Sequence, residues 1–181
     1  MAQTFPRVRR SKLGYSTAEV ESFLTVARSA FDDRRAGRVT AADIRHTAFS
    51  MQKGGYATFA VDAALERLED EFSKRERERA VRDMGQKAFF KATRGLAKEI
   101  TDRLSRGPRR RFARVGLLAV GYSVRDVDRF AERVLDYFEH GVDLPVAEVR
   151  GVAFRPARRG YREAQVDLLV DGVVEVMLSV R

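Results

Sequence analysis

The sequence contains no cysteine and only two histidines, and both facts limit the chemistry open to the chain. Without cysteine there are no disulfides, no thiolate metal ligands and no cysteine nucleophile, which suits a reducing cytoplasm. His46 and His140 lie far apart in the sequence and form a poor metal-binding set without cysteine partners. We therefore expect neither a metal nor another cofactor, and we expect both histidines to be exposed or to lie at helix ends.

Long apolar runs and glycine-rich phosphate loops are also missing. The longest run without a charged residue, 115 to 124, is much shorter than the roughly 20 residues that cross a bilayer. The basic start of the chain has no apolar core of the kind found in signal peptides. No Walker or Rossmann glycine pattern is present, and the carboxylates are scattered beside Arg and Lys, so that no acid–base pair stands out. We predict a cytoplasmic protein that is not an enzyme.

Positive charge is what the chain has in excess: 35 Lys and Arg against 26 Asp and Glu give a formal net charge of +9 at pH 7. This excess favours an acidic protein partner, an anionic membrane surface or nucleic acid over a surface that is merely well solvated. Three segments carry basic residues and no acid, namely 1–14, 105–125 and 150–162. The candidate residues for contact with an anionic surface are Arg7, Arg9, Arg10, Lys12, Lys53, Arg109, Arg110, Arg111, Arg114, Arg155, Arg158 and Arg159.

One short pattern, Gly-Tyr followed after four residues by Val and then an acid, occurs four times. A repeat with fixed internal spacing indicates a repeated structural unit. Ser16 and Glu19 in the first copy have the spacing of a capping box, which places the Tyr and the Val at the two positions of a hydrophobic staple. The glycine permits a positive φ or a close backbone approach, so that the chain can turn sharply into a helix. The four copies are Gly14, Tyr15 and Val20; Gly55, Tyr56 and Val61; Gly121, Tyr122 and Val127; and Gly160, Tyr161 and Val166.

The segments around the repeat indicate helices and a larger duplication. Each valine begins a row of apolar residues at i, i+3, i+4, i+7 and i+11, which is one face of an α-helix. A Phe stands ten residues before the Tyr in the first and third copies, and seven residues before it in the second and fourth. The copies therefore have the order A-B-A′-B′, and the two halves are offset by about 105 residues.

These patterns predict a mainly α protein with small antiparallel β elements, formed by internal duplication of a two-motif A-B unit into pseudo-twofold halves. Short strands are predicted at 5–13, 47–53, 112–120 and 152–158. The predicted domains are a first A-B unit at 1–72, a helical connector at 73–106 and a second A-B unit at 107–181. Residues 66–104 are predicted to be helical, with interruptions at Gly85 and Gly95.

Two stretches of the chain resemble the DivIVA-domain family of bacterial cell-division and polar-growth proteins. They are DIRHTAFSMQKGGYATFAVDAAL, residues 43–65, and EVRGVAFRPARRGYREAQVDLLV, residues 148–170. The other two copies match the family from Gly-Tyr onward and in the upstream Phe. The four spaced copies look most like the tandem-repeat members of that family from actinobacteria. The resemblance implies a non-enzymatic scaffold or adaptor whose partners belong to the division or growth machinery, at the septum or pole.

The resemblance also implies a membrane contact and assembly into oligomers. In the family a Phe-Arg pair directly before Gly-Tyr makes the membrane contact, and a long coiled coil supports assembly. Here no heptad pattern is sustained over three or four heptads. The positions of the pair read Lys12-Leu13, Lys53-Gly54, Ala119-Val120 and Arg158-Arg159. We therefore rank a protein adaptor first, peripheral contact with an anionic membrane second, and a basic nucleic-acid-binding protein that uses the Arg clusters third.

Overall fold

The computed structural model describes residues 5–32 and 39–180. Within these residues the protein has seven helices and two antiparallel sheets of two short strands each, which confirms the prediction of a mainly α protein with small antiparallel β elements. Contacts divide the chain into two compact units, unit 1 at 1–79 and unit 2 at 80–181. In chain order the elements are β1 Leu13–Tyr15, α1 Thr17–Asp32, α2 Ala41–Arg45, β2 Met51–Lys53, α3 Thr58–Met84, α4 Gln86–Leu104, β3 Val120–Tyr122, α5 Val124–His140, α6 Val146–Arg150, β4 Pro156–Arg158 and α7 Glu163–Ser179.

Unit 1 is organised around the antiparallel pair β1–β2, in which Gly14 lies opposite Gln52. Helix α1 follows the first Gly-Tyr motif and α3 follows the second, so both helices start beside the same small sheet. Each places its motif valine, Val20 or Val61, in the core, where both side chains are almost fully buried. The two buried clusters of unit 1 consist of Phe5, Val20, Tyr56 and Val61, and of Ala41, Ile44 and Phe72.

Unit 2 repeats this order of elements around the pair β3–β4, in which Gly121 lies opposite Ala157. Its core is one larger cluster, because α4 packs against α5 and α7 and contributes Ile100 and Leu104. The short helix α6 also packs on α7 and buries Val149. The predicted connector at 73–106 thus supplies a core helix to unit 2.

The strands are shorter than the sequence patterns indicate, and the upstream ones start later. The segment predicted as a strand at 5–13 makes only a single bridge, from Arg7 to Tyr56, before a turn in which Lys12 N–H donates to the carbonyl of Arg9. Pairing resumes at β1. The segment at 112–120 behaves in the same way, with a bridge from Arg114 to Tyr161 ahead of β3. In both cases a turn interrupts a segment that the sequence pattern predicts as one continuous strand.

The predicted cap of α1 forms, but its reciprocal half is replaced by a longer-range bond. The hydroxyl of Ser16 accepts from the backbone N–H of Glu19 at 3.4 Å. The Glu19 carboxylate accepts from the backbone N–H of Ser50 at 2.7 Å, which ties the start of α1 to the segment that enters β2. Helix α5 has the same arrangement, formed by Ser123, Asp126 and Arg155.

Glycine ends one long helix and is accommodated inside another. Gly85 has a φ of 84° and separates α3 from α4, as predicted. Gly95 lies within α4, so the predicted interruption there is wrong; a single glycine costs a helix only about 1 kcal/mol relative to alanine. Among the described helices, none combines the length and the apolar character needed to span a bilayer.

Candidate functional site

The two Gly-Tyr motifs of each unit pair with one another. In unit 1 the backbone N–H of Tyr15 donates to the carbonyl of Tyr56 at 2.9 Å, and the N–H of Tyr56 donates back to the carbonyl of Tyr15 at 2.9 Å. In unit 2 the same exchange joins Tyr122 and Tyr161, at 3.0 and 2.9 Å. We call each of these arrangements a reciprocal pair.

The glycines of the motif are required by the close approach of the two backbones. A Cβ added to Gly14 would lie 2.3 Å from the carbonyl oxygen of Tyr56. A Cβ added to Gly55 would lie 2.3 Å from the carbonyl oxygen of Tyr15. In unit 2 the matching distances are 2.2 Å from Gly121 to Tyr161 and 2.4 Å from Gly160 to Tyr122. Of the two reasons that the sequence leaves open, close approach therefore applies, since none of these four glycines has a positive φ.

The acid that follows each motif valine interacts with the tyrosine hydroxyl of the other motif in the same unit. In unit 1 the Tyr56 hydroxyl donates to the Glu21 carboxylate at 2.5 Å, and this hydrogen bond is the main cause of a raised Tyr56 pKa. Burial, together with the charge of Asp62 and a hydrogen bond to it, raises the pKa of Tyr15. In unit 2 the Tyr161 hydroxyl donates to Asp128 at 3.1 Å. Burial, together with the charge of Asp167 and a hydrogen bond to it, raises the pKa of Tyr122. The role of these acids is not visible in the local pattern.

Aromatic side chains complete each reciprocal pair. Phe5 meets the ring of Tyr56 edge-on with centroids 5.4 Å apart, and Tyr15 meets Phe49 at 5.5 Å. Such edge-to-face contacts are favourable for aromatic rings at this separation. The corresponding contacts in unit 2 join Phe112 to Tyr161 at 5.3 Å and Tyr122 to Phe154 at 5.2 Å. Phe5 and Phe112 are therefore buried core residues, and Phe49 and Phe154 are partly buried and pack against the core.

Arg111 lies beneath the surface and must be removed from the predicted basic surface. Its side chain is buried, and it donates to the carbonyl oxygens of Leu104 at 2.7 Å and Asp128 at 3.0 Å. It also forms an ion pair with the Asp128 carboxylate at 3.1 Å. A buried guanidinium needs such partners, because an unpaired charge in the interior is costly. Burial, followed by the charge of Asp128, raises the pKa of Tyr161 to about 12.

The other candidate basic residues are exposed. Arg155 is the one member of this set that forms an ion pair within residues 5–32 and 39–180, and its guanidinium makes two hydrogen bonds to Asp126, at 2.7 and 2.8 Å. The hydrogen bonds from Arg155 hold the pKa of Asp126 well below its usual range. The exposed candidates of unit 1 are Arg7, Arg9, Arg10, Lys12 and Lys53, and those of unit 2 are Arg109, Arg110, Arg114, Arg155, Arg158 and Arg159.

An open cleft of about 810 Å³ brings several of these arginines together in unit 2. Four of them come from the predicted set, and two more, Arg125 and Arg129, come from α5. Arg125 lies at the end of the basic segment 105–125 but is not among the predicted candidates, and Arg129 lies beyond that segment, on a helix that also carries many acids. Their spacing of four residues, which puts them on one helical face, is the signal that could have found them. The six arginines of the cleft are Arg109, Arg114, Arg125, Arg129, Arg158 and Arg159.

Other kinds of site find less support. Within residues 5–32 and 39–180, no group of three or more metal-ligating side chains is positioned to hold a metal ion. Comparisons of the chain with protein-family models, with curated proteins and with solved structures found no match. The assignment of a function therefore depends on the residues themselves.

Proposed function

We propose that the protein is a non-enzymatic scaffold or adaptor whose basic turns contact an acidic protein partner or an anionic surface. The observation that carries this proposal is the sorting of charge around the reciprocal pairs. Motif acids such as Glu21 and Asp128 are directed at tyrosine hydroxyls, whereas the turns carry exposed arginines and lysines. This sorting gives the turns an exposed positive charge, which favours association with negative partners.

We further propose that the two units arose by duplication of one A-B unit, as pseudo-equivalent halves. Matching strand registers support this proposal, since Leu13 pairs with Lys53 in unit 1 and Val120 pairs with Arg158 in unit 2. The same exchange of tyrosine hydrogen bonds in each unit is further support. A scaffold with two such units can present two related surfaces on one chain.

The place of action that we propose is the bacterial division or polar-growth machinery, at the septum or pole. The resemblance of residues 43–65 and 148–170 to DivIVA-domain proteins supports this proposal. Peripheral membrane contact is the second element of the proposal, and the turn before β3 favours it. Leu117 and Leu118 on this turn are 69% and 97% exposed, and the next residue, Ala119, accepts from the backbone N–H of Arg159, which lines the basic cleft. Two adjacent exposed leucines near arginines suit the boundary between headgroups and acyl chains.

Imaging of a fluorescent fusion in the bacterium that encodes the chain tests the scaffold proposal. We expect septal or polar foci, and co-purification of a protein of the division or growth machinery. Replacing two turn arginines, Arg9→Gln and Arg10→Gln, should weaken the foci. The matched control removes two charges from α4, Lys91→Gln and Arg94→Gln, and should leave the foci intact. Diffuse fluorescence of the wild-type protein would contradict the proposal.

The second candidate function is nucleic-acid binding, which the six arginines of the cleft favour. Such binding depends on phosphate neutralisation and weakens steeply as salt rises. Titration of the purified protein with duplex and single-stranded DNA across a salt series measures it directly. Tight DNA binding that persists at physiological salt, together with a nucleoid pattern of the fusion, would place this function first.

A further inference from the structure

The cleft of unit 2 has more positive charge than its own acids can balance. Six arginines line it, together with only two acids, Asp128 and Glu132. All six arginines are exposed, and within residues 5–32 and 39–180 none of their guanidinium groups forms an ion pair. Their charges are therefore open to an anion that enters from solvent.

Both acids are already engaged from the protein side. The Asp128 carboxylate accepts from the Tyr161 hydroxyl and from the backbone N–H of Arg109 at 2.9 Å, and it forms an ion pair with the buried Arg111. Glu132 lies 3.8 Å from the same Arg111 guanidinium. The buried arginine thus offsets the negative charge at the base of the cleft, and the exposed arginines retain theirs.

Backbone strain also concentrates at this cleft. Within the described residues, only Arg109 and Arg159 have a positive φ without being glycine, at 69° and 53°. Both line the cleft. At the position of unit 1 that matches Arg159, directly after β2, the chain has Gly54 with a φ of 65°. An arginine in a conformation that glycine adopts freely is typical of a site where the side chain has a use that offsets the strain.

Unit 1 lacks the residues that would make the same cleft. Counting from the motif valines, Arg125 corresponds to Ala18 and Arg129 corresponds to Ser22. Only Arg114 and Arg158 have basic counterparts among the described residues, Arg7 and Lys53. The arginine cluster is therefore a property of unit 2 and not of the shared frame.

We propose that the cleft of unit 2 binds a compact anion that carries at least two phosphate groups. Guanidinium groups bind phosphate through paired, charge-assisted hydrogen bonds, and six around one opening can engage more than one phosphate. A volume of about 810 Å³ lies in the range of small-molecule sites and admits such an anion. The proposal names a ligand class for part of the basic surface on which the proposed function depends. The source of the phosphates is either a lipid headgroup or a soluble molecule.

Calorimetric titration of the full chain with tripolyphosphate at physiological salt tests the site. We expect saturable binding with one site per chain, and weaker binding of inorganic phosphate. Arg125→Gln with Arg129→Gln should weaken binding of tripolyphosphate about tenfold or more, as expected for the loss of charge-assisted bonds. Circular dichroism of this variant should match the wild type, since both residues are exposed on α5.

The matched control removes the same charge from unit 1, by Arg7→Gln with Lys53→Gln. This control should bind tripolyphosphate as the wild type does. Equal losses in the two double variants would show general attraction by net charge and would overturn the proposal. Absence of wild-type binding, or an unchanged affinity in the α5 variant, would overturn it as well.

Vesicles separate the two sources of the phosphates. Phosphatidylcholine vesicles that contain cardiolipin, a lipid with two phosphates, should bind the protein and release it to tripolyphosphate if the source is a headgroup. No vesicle binding by a chain that does bind tripolyphosphate would identify a soluble anion. The α5 variant in the imaging experiment distinguishes this site from the scaffold role. If the α5 variant loses anion binding but still forms foci, the scaffold role is retained. If the wild-type protein binds the anion but forms no foci, the scaffold role alone is rejected.

Discussion

Units 1 and 2 contain the same reciprocal pair but treat its acid differently. In unit 1 Glu21 binds Tyr56, and the nearby Arg7 stays exposed with its guanidinium 5.7 Å from the centre of the tyrosine ring. In unit 2 the corresponding acid, Asp128, has a shorter side chain, is buried and also forms an ion pair with the buried Arg111. The position that matches Arg111 in unit 1 is Thr4, which lies outside the described residues. The same pairing of motifs therefore occurs with two different arrangements of charge.

Unit 1 buries its ion pair elsewhere. Arg45 of α2 and Glu69 of α3 approach to 2.9 Å, and the Glu69 side chain is almost fully buried. This pair joins two helices. At the sheet end of unit 1, no described arginine is buried. In unit 2 the buried charge lies directly under the arginine cleft. Four substitutions test this difference between the units.

Loss of the buried arginine should have the largest effect. Arg111→Met leaves the buried Asp128 carboxylate without its cation and should lower the free energy of unfolding of unit 2 by about 3–5 kcal/mol. Adding Asp128→Asn should recover part of the loss, because the uncompensated charge is then removed. Native-state hydrogen exchange of core amides measures each unit separately. Arg7→Met in unit 1 is the control and should cost less than about 1 kcal/mol. Similar losses for Arg7→Met and Arg111→Met would refute the contrast.

The close approach of the backbones predicts the next largest effect. Gly121→Ala forces a Cβ to within 2.2 Å of the Tyr161 carbonyl oxygen and should destabilise unit 2 by about 3 kcal/mol. Gly116→Ala in the preceding turn is the control, since a Cβ there meets nothing within 4 Å. Thermal unfolding followed by circular dichroism distinguishes the two. Equal melting temperatures for these variants would mean that the pairing of the motifs is looser than described.

Removal of the Tyr161 hydroxyl in unit 2 should have a smaller effect on the free energy of unfolding, and this effect should depend on pH. Tyr161→Phe removes a hydrogen bond to Asp128 and should cost about 1–2 kcal/mol near neutral pH. The folded-state pKa of Tyr161, about 12, lies above the unfolded value of 10.0, so its stabilisation is complete below pH 10 and is lost as pH rises toward 12. Urea unfolding between pH 8 and 12 should therefore show a steeper decline for the wild type than for Tyr161→Phe. Parallel declines would contradict this assignment.

The smallest of the four changes in the free energy of unfolding should be a stabilisation. Arg159→Gly places glycine at a positive φ, as in unit 1, and should stabilise unit 2 by up to about 1 kcal/mol. The same change should weaken tripolyphosphate binding, because one of the cleft arginines is lost. Urea unfolding and calorimetry of one variant measure both effects. Weaker binding without a gain in stability would indicate that the backbone at this position is not strained.

Much of the frame follows from local sequence patterns. The caps at Ser16 and Ser123, the helices that follow each motif and the buried valines are all set by residues within one helical turn of each other. The role of Glu21 could not be read in this way, because its tyrosine lies in the other motif, 35 residues away. Residue spacing predicts which side chains are neighbours along one helix, but it does not predict contacts between residues that are distant in the sequence.

The burial of one arginine in the run 109–111 could not be predicted from the sequence either. All three residues are identical in type, and no apolar alternation marks one of them as inward-facing. Only Arg111 is buried, because the carbonyl of Leu104 and the side chain of Asp128 converge on it. The cleft could not be predicted for the same reason. It combines a loop, a strand end and the exposed face of α5, which meet only in the folded unit.

The exchange of hydrogen bonds between the motifs has a consequence for the order of folding. Helices form from contacts within a few residues, on a timescale of about a microsecond. The exchange between Tyr15 and Tyr56 joins positions about 40 residues apart, so its loop-closure entropy must be overcome before either motif gains its partner. We therefore expect the local helices of each unit to form before its two motifs pair. A fragment that ends between its two motifs should form helix without forming the sheet.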